Sequence, residues 1–186
     1  DRRGVAGVDA LGHSYGGRCA LGAALLTGRI GRVISYEGAP ATTDDRYADA
    51  SLADELAALA AARRLEDLLA TFLTRVVGMS ADDLAAYRAD PVWPRRVAAA
   101  GTIARELAVE AGEAAGLERL GSVRQPVLQI LGGDSLPTFA TATHALHDRL
   151  VDGRVVVIPG ARHAAHHTHP RAVVEAIRGF LQPAAV

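Results

Sequence analysis

The stretch GVAGVDALGHSYGG, residues 4–17, decides how the rest of the chain is read. Gly4 to Leu11 is short, apolar and bounded by Gly12, as expected of a strand buried on both faces. From Tyr15 to Leu26 the residues are small and aliphatic, and Gly28 follows as the expected helix C-cap. Between strand and helix lies Gly12-His13-Ser14-Tyr15-Gly16, a Gly-x-Ser-x-Gly turn with Gly17 adding room. A serine at so sharp a turn is held in a strained backbone conformation, which only small flanking residues permit. Its Oγ is presented at a helix N-terminus, where developing negative charge is favoured. The pentapeptide alone is a weak signal. In this strand-turn-helix context Ser14 reads as a nucleophile, against the plainer alternative of a glycine-rich turn with an incidental serine.

Outward from this turn, Arg32 to Tyr36 reads as a second short strand, ended by Gly38 and Pro40. From Ala41 to Leu120 the character changes to Ala, Leu, Arg, Glu and Asp, the pattern of an all-helical insertion. Within it Ser51 with Asp54, and Ser80 with Asp83, have capping-box spacing, and helices are expected between Glu66 and Gly78 and between Arg95 and Gly112. Strand composition returns at Pro126 to Leu131 and Arg154 to Ile158. Helical patterns lie between them, Thr138 to Leu150, and after them, Pro170 to Leu181, with Pro170 placed as a first helical residue. Strands alternating with helices imply an α/β fold with a parallel sheet. The expected division is a core of residues 1–40 and 121–186 interrupted by a helical insertion of residues 41–120.

The chain of 186 residues, 49% hydrophobic and 22% charged, is neither a disordered segment nor a coiled coil. Twenty basic and 21 acidic residues leave a net charge of −1, which gives no reason to expect nucleic acid as a partner. No apolar run approaches the ~20 residues of a membrane span. The single cysteine, Cys19, excludes an internal disulfide and a multi-cysteine zinc site, and fits a reducing, cytoplasmic setting. Every basic residue is Arg and there is no Asn, a bias expected of a GC-rich bacterial gene. The chain begins at Asp1 and its only methionine is Met79, which reads as a fragment or processed chain.

A serine becomes a nucleophile when a neighbouring base takes its proton. His163 follows the strand Arg154 to Ile158 on the loop at its C-terminal end, where parallel sheets bind ligands. His166, His167 and His169 lie close by, but no carboxylate or cysteine at ligand spacing accompanies them, so they read as solvated helix-entry residues and no metal is expected. His13 reads as a residue that packs against or lines the substrate pocket, and His144 and His147 as surface residues. The base in turn needs a carboxylate to fix its tautomer. Glu37 and Asp134 both lie at strand ends on the correct side, and either preserves the chain order Ser, acid, His.

GHSYGG at 12–17, RVISYEGAP at 32–40, PVLQILGGDS at 126–135 and VVVIPGARHAAHHTHP at 155–170 together resemble the α/β-hydrolase superfamily over essentially the whole chain. The resemblance implies Ser14 as nucleophile, His163 as base, Tyr15 N–H as an oxyanion donor, and the insertion as a helical cap. The family's acid usually closes a Gly-x-x-Asp pattern after the seventh strand. Here Ser135 stands at that place, with Asp134 one residue early. Some members, including certain haloalkane dehalogenases, carry a Glu after the sixth strand instead, and Glu37 matches that position without a shift. The resemblance starts at the family's fifth strand, so its first four strands, and the loop that gives a second oxyanion donor, are expected to be absent. Loss of one such donor costs roughly 100- to 1000-fold in turnover.

The implied activity is hydrolysis of an ester or related acyl bond in a small apolar substrate, with no cofactor. Trp93, with Leu68, Leu69 and Phe72, is available to line an apolar pocket, although packing inside the insertion is the simpler account of each of them. The alternatives are a non-catalytic binding domain of the same fold and related chemistry such as lyase, C–C hydrolase or perhydrolase reactions. Nothing in the sequence speaks to the oligomeric state.

Overall fold

The computed structural model describes residues 7–110 and 116–182. Four strands, β1 (Val8–His13), β2 (Ile30–Tyr36), β3 (Val127–Gly132) and β4 (Gly153–Ile158), form one sheet in the order β1-β2-β3-β4, with every neighbouring pair parallel. Residues 4–6 of the expected first strand lie outside the described residues. At its other end β1 runs two residues past Leu11, because Gly12 and His13 stay in register with Ser35 and Tyr36. Tyr36 in turn pairs with Ile130, and Gly132 with Ile158. The register therefore brings the C-terminal ends of all four strands to one edge.

Alternate residues explain the layers, since successive side chains in a strand point to opposite faces. Ile34, Tyr36, Leu128, Ile130 and Ile158 pack with Val173 and Phe180 of α10 (Pro170–Leu181). On the other face Ser35 lies against Gly17 of α1 (Tyr15–Leu26), and Gln129 Nε2 donates to the Thr143 carbonyl of α8 (Pro137–His147) at 3.1 Å. All six residues of β3 are buried, as its unbroken apolar run requires. The α10 C-terminus is tied back to the sheet by Arg32 Nη1, which donates to the Leu181 carbonyl at 2.8 Å.

Contacts divide the chain into two compact units, one of residues 1–45 with 113–186 and the other of residues 46–112. The second holds α2 (Ala50–Ala61), α3 (Leu65–Arg75), α4 (Ala81–Ala89), α5 (Trp93–Ala99) and α6 (Ile103–Glu110). The short α7 (Leu117–Leu120) and α9 (Ala165–Thr168) belong to the first. Ser80 caps α4 as its spacing predicts, accepting from the Asp83 N–H at 3.1 Å. The cap of α2 differs: Asp49 accepts from the Leu52 N–H at 2.8 Å, and Ser51 lies inside the helix. Asp and Ser cap almost equally well, so the earlier acceptor starts the helix. The helix expected from Arg95 to Gly112 is broken by a 3₁₀ turn at Ala100–Thr102, where Gly101 weakens helical propensity; residues 111–112 lie outside the described residues. Gly28 does not cap α1, whose C-cap is Thr27 in an extended conformation.

The helical unit has its own core, in which Leu52, Leu56, Leu68, Leu69, Val76, Leu84, Trp93, Ala100 and Ile103 are buried. Among the described residues no helix is long and apolar enough to cross a membrane. Leu56 is 0% exposed, so Leu56→Ala leaves a cavity and is expected to cost roughly 2–5 kcal/mol. Trp93 is the single tryptophan of the chain and lies in the same core. Urea unfolding followed by its fluorescence should therefore show a lower midpoint for the variant, and an unchanged midpoint would mean that this core does not hold the unit together.

Candidate active site

Ser14 sits between β1 and α1 with φ 56° and ψ −130°, a backbone conformation that non-glycine residues rarely adopt. Its backbone is held there: its N–H donates to the Tyr36 carbonyl at 2.8 Å, and its own carbonyl accepts from the Gly17 N–H at 2.9 Å and the Arg18 N–H at 3.4 Å. The chain turns so tightly that a Cβ at Gly12 would lie 2.1 Å from the Gly16 carbonyl oxygen, so only glycine fits. Tyr15 is the first residue of α1, which puts its backbone N–H at the positive end of the helix.

Glu37 follows β2 and also has a positive φ, 45°. Its side chain is 0% exposed, and that of His163 is 8% exposed. His163 Nδ1 lies 2.6 Å from Glu37 Oε2. The other oxygen, Oε1, accepts from the Gly132 N–H at 2.7 Å and from the Ser135 hydroxyl at 2.6 Å. A carboxylate accepts but does not donate, so with Glu37 as a carboxylate Nδ1 is the donor of this pair and Nε2 is the ring nitrogen that Glu37 does not engage. Asp134 is exposed, and its backbone N–H donates to the Ala161 carbonyl at 2.8 Å.

The loop that carries His163 is pinned on both sides by Tyr36. Its hydroxyl donates to the Arg162 carbonyl and accepts from the Ala165 N–H at 2.7 Å. Burial, assisted by the Glu37 charge, raises the Tyr36 pKa well above the ordinary tyrosine value against the lowering effect of the Ala165 bond, so the donor stays protonated through the alkaline range. His13 Nε2 meets the His163 carbonyl at 2.7 Å, and the rings of His13 and Phe139 lie 4.5 and 4.6 Å from the His163 ring. His13 thus braces the backbone of His163. Sequence reasoning did not assign Tyr36, Phe139 or Ser135 to the site. The available signals were the place of Tyr36 beside Glu37 and the place of Ser135 where an acid is usual.

The remaining histidines are distributed differently. His166 lies 4.5 Å from His13 and 4.2 Å from His167, ring to ring. Among the described residues no group of three or more His, Cys, Asp or Glu is arranged to hold a metal. His144 is exposed, whereas His147 is half-buried because it packs beside Gly153 at the start of β4. Trp93 belongs to the core of the helical unit, where its ring packs against Tyr87 at 5.6 Å and Arg88 lies 5.7 Å from it.

A strained serine at a strand-to-helix turn and a buried histidine-carboxylate pair at the same sheet edge agree with the family comparison, in which residues 1–176 match the alpha/beta hydrolase family. The chain belongs to that family. Among solved structures it is similar to an α/β hydrolase from Sphaerobacter thermophilus, with 26% identity and a TM-score of 0.71 over 92% of this chain and 68% of that one. An α/β-hydrolase enzyme from a Medee basin deep-sea metagenome library matches 100% of this chain and 68% of its own, at 18% identity and a TM-score of 0.72. The enol-lactonase from Burkholderia xenovorans shares the fold at 19% identity and a TM-score of 0.70, over 95% of this chain and 66% of that one. Comparison with curated proteins gave no match.

Tyr36→Phe keeps the ring and removes the hydroxyl that serves Arg162 and Ala165. The Ala165 N–H and the Arg162 carbonyl keep only their mutual bond at 3.1 Å, so loss of the hydroxyl's two bonds is expected to lower stability by about 0.5–1.5 kcal/mol in urea unfolding followed by far-UV circular dichroism. A loss below about 0.3 kcal/mol would mean that the hydroxyl does not hold the loop.

Proposed function

We propose that this α/β hydrolase is a serine hydrolase acting on an ester or related acyl bond of a small apolar molecule. The observation that carries the reading is the buried His163–Glu37 pair at 2.6 Å, on the sheet edge where β1 hands the chain to Ser14. In this reading Ser14 Oγ attacks the acyl carbon while His163 Nε2 takes its proton. The tetrahedral oxyanion accepts from the Tyr15 N–H at the start of α1. His163 then gives the proton to the leaving oxygen, which departs and leaves an acyl-Ser14. Water attacks that acyl group as His163 takes its proton, and the acid product is released with Ser14 restored.

Glu37 is assigned as the orienting carboxylate in preference to Asp134, because Glu37 bonds to Nδ1 and Asp134 is exposed. The helical unit is assigned as the cap. Trp93 is left to its packing role in that unit rather than to substrate. A cytoplasmic setting fits the exposed free thiol of Cys19.

Labelling with a fluorophosphonate, followed by peptide mapping, is expected to mark Ser14. Ser14→Ala should lose the label and reduce p-nitrophenyl ester turnover to near background without a change in Tm, and activity retained within tenfold would exclude the serine mechanism. Glu37→Gln is expected to lower turnover by about 10,000-fold, the cost of losing the oriented tautomer. Asp134→Asn should stay within about threefold, since exposed side chains outside the network contribute little. The opposite ranking of these two variants would move the acid to Asp134.

A further inference from the structure

We propose that Ser135 is a positioning residue for His163, acting through Glu37, an inference that rests on Glu37 as the orienting carboxylate. A carboxylate held through one oxygen can rotate about its last bond and leave its partner. At Glu37 that rotation is opposed at Oε1 by two donors, the Gly132 N–H at 2.7 Å and the Ser135 hydroxyl at 2.6 Å, while Oε2 faces His163. A hydroxyl facing an acceptor-only oxygen must donate, so its proton points at Glu37.

Local structure holds that hydroxyl in place. The Ser135 N–H donates to the Gly132 carbonyl at 3.2 Å, which closes the turn after β3. A Cβ at Gly132 would lie 2.7 Å from Ser135 Oγ, so the glycine makes the space the hydroxyl fills. The hydroxyl is not used to start α8, whose N-cap is Leu136 and makes no side-chain capping bond. Its bond to Glu37 is charge-assisted, the stronger class of hydrogen bond.

The test uses the full chain with Ser135→Ala and Ser135→Thr, each in the native and the Glu37→Gln background. Two quantities are read: the rate of fluorophosphonate labelling at Ser14, and the proton NMR signal of His163 Nδ1–H in histidine-labelled protein. Ser135→Ala is expected to slow labelling about tenfold, the rate equivalent of one charge-assisted hydrogen bond. It should also broaden the Nδ1–H signal through faster solvent exchange, and Ser135→Thr should recover most of both. In the Glu37→Gln background Ser135→Ala should add almost nothing, because a residue that acts through Glu37 has nothing left to act on.

Equal losses in the two backgrounds, or an unchanged Nδ1–H signal in Ser135→Ala, would overturn the proposal. Should Ser135→Ala fail to fold, Ser135→Cys keeps the volume with a weaker donor and is read the same way. A chain that takes no label, but whose Nδ1–H signal still responds to Ser135→Ala, would support positioning while removing the hydrolase reading. Normal labelling with a variant indistinguishable from the native chain would remove positioning alone.

Discussion

A carboxylate that has lost all contact with water must find its hydrogen bonds where it lies, and at Glu37 that requirement joins three strand ends. Glu37 itself follows β2, its Oε1 is satisfied by Gly132 and Ser135 at the end of β3, and its Oε2 by His163 beyond β4. Leaving such a charge without partners would cost several kcal/mol, so the parallel register and the site geometry are not independent properties. Tyr36 pairs with Ile130 and Gly132 with Ile158, and those pairings put the three donors within reach of one side chain.

The same end of β2 also supports the turn at Ser14. The Tyr36 carbonyl accepts the Ser14 N–H, and the Tyr36 hydroxyl holds the backbone on either side of His163. A positive φ at a non-glycine residue costs roughly 1–3 kcal/mol and persists only where its surroundings over-determine it. Ser14 and Glu37 both have one, and both lie one residue beyond a strand whose last residue is held in the sheet. At these two positions the strain coincides with side chains of the candidate site and the adjoining β-ladder offsets it, whereas the third such residue, Arg63, lies in the turn between α2 and α3.

Membership of the α/β-hydrolase family defines the class of site but not the bond that is broken, since one fold hosts many reactions. The helical unit is held by a leucine-rich core of its own, with Leu56 and Leu68 at 0% exposure. Residues of that core, Trp93 included, are placed by packing needs internal to the unit.

The sequence by itself determined the elements whose causes are local. The span Tyr15–Leu26, the start of α10 at Pro170, the Ser80 cap and the segments of β2, β3 and β4 follow from periodicity, proline geometry and capping chemistry, all of which act over a few residues, whereas β1, expected to be buried on both faces, is largely exposed because it pairs only with β2 among the described residues. Ser14 and His163 were each legible as candidates for the same reason, because a glycine-flanked turn and a loop after a strand are local features. Glu37 and Asp134 were not separable, nor was the part played by Tyr36 or Ser135. Those depend on which atoms meet across 126 residues between Glu37 and His163, and 98 between Glu37 and Ser135. Even the α2 cap, Asp49 rather than Ser51, turned on where the helix begins, since both side chains have the chemistry. Only the tertiary structure decided these points, because a hydrogen bond forms between the groups that the sheet register brings within 3 Å, and chain patterns of a few residues carry no record of that register.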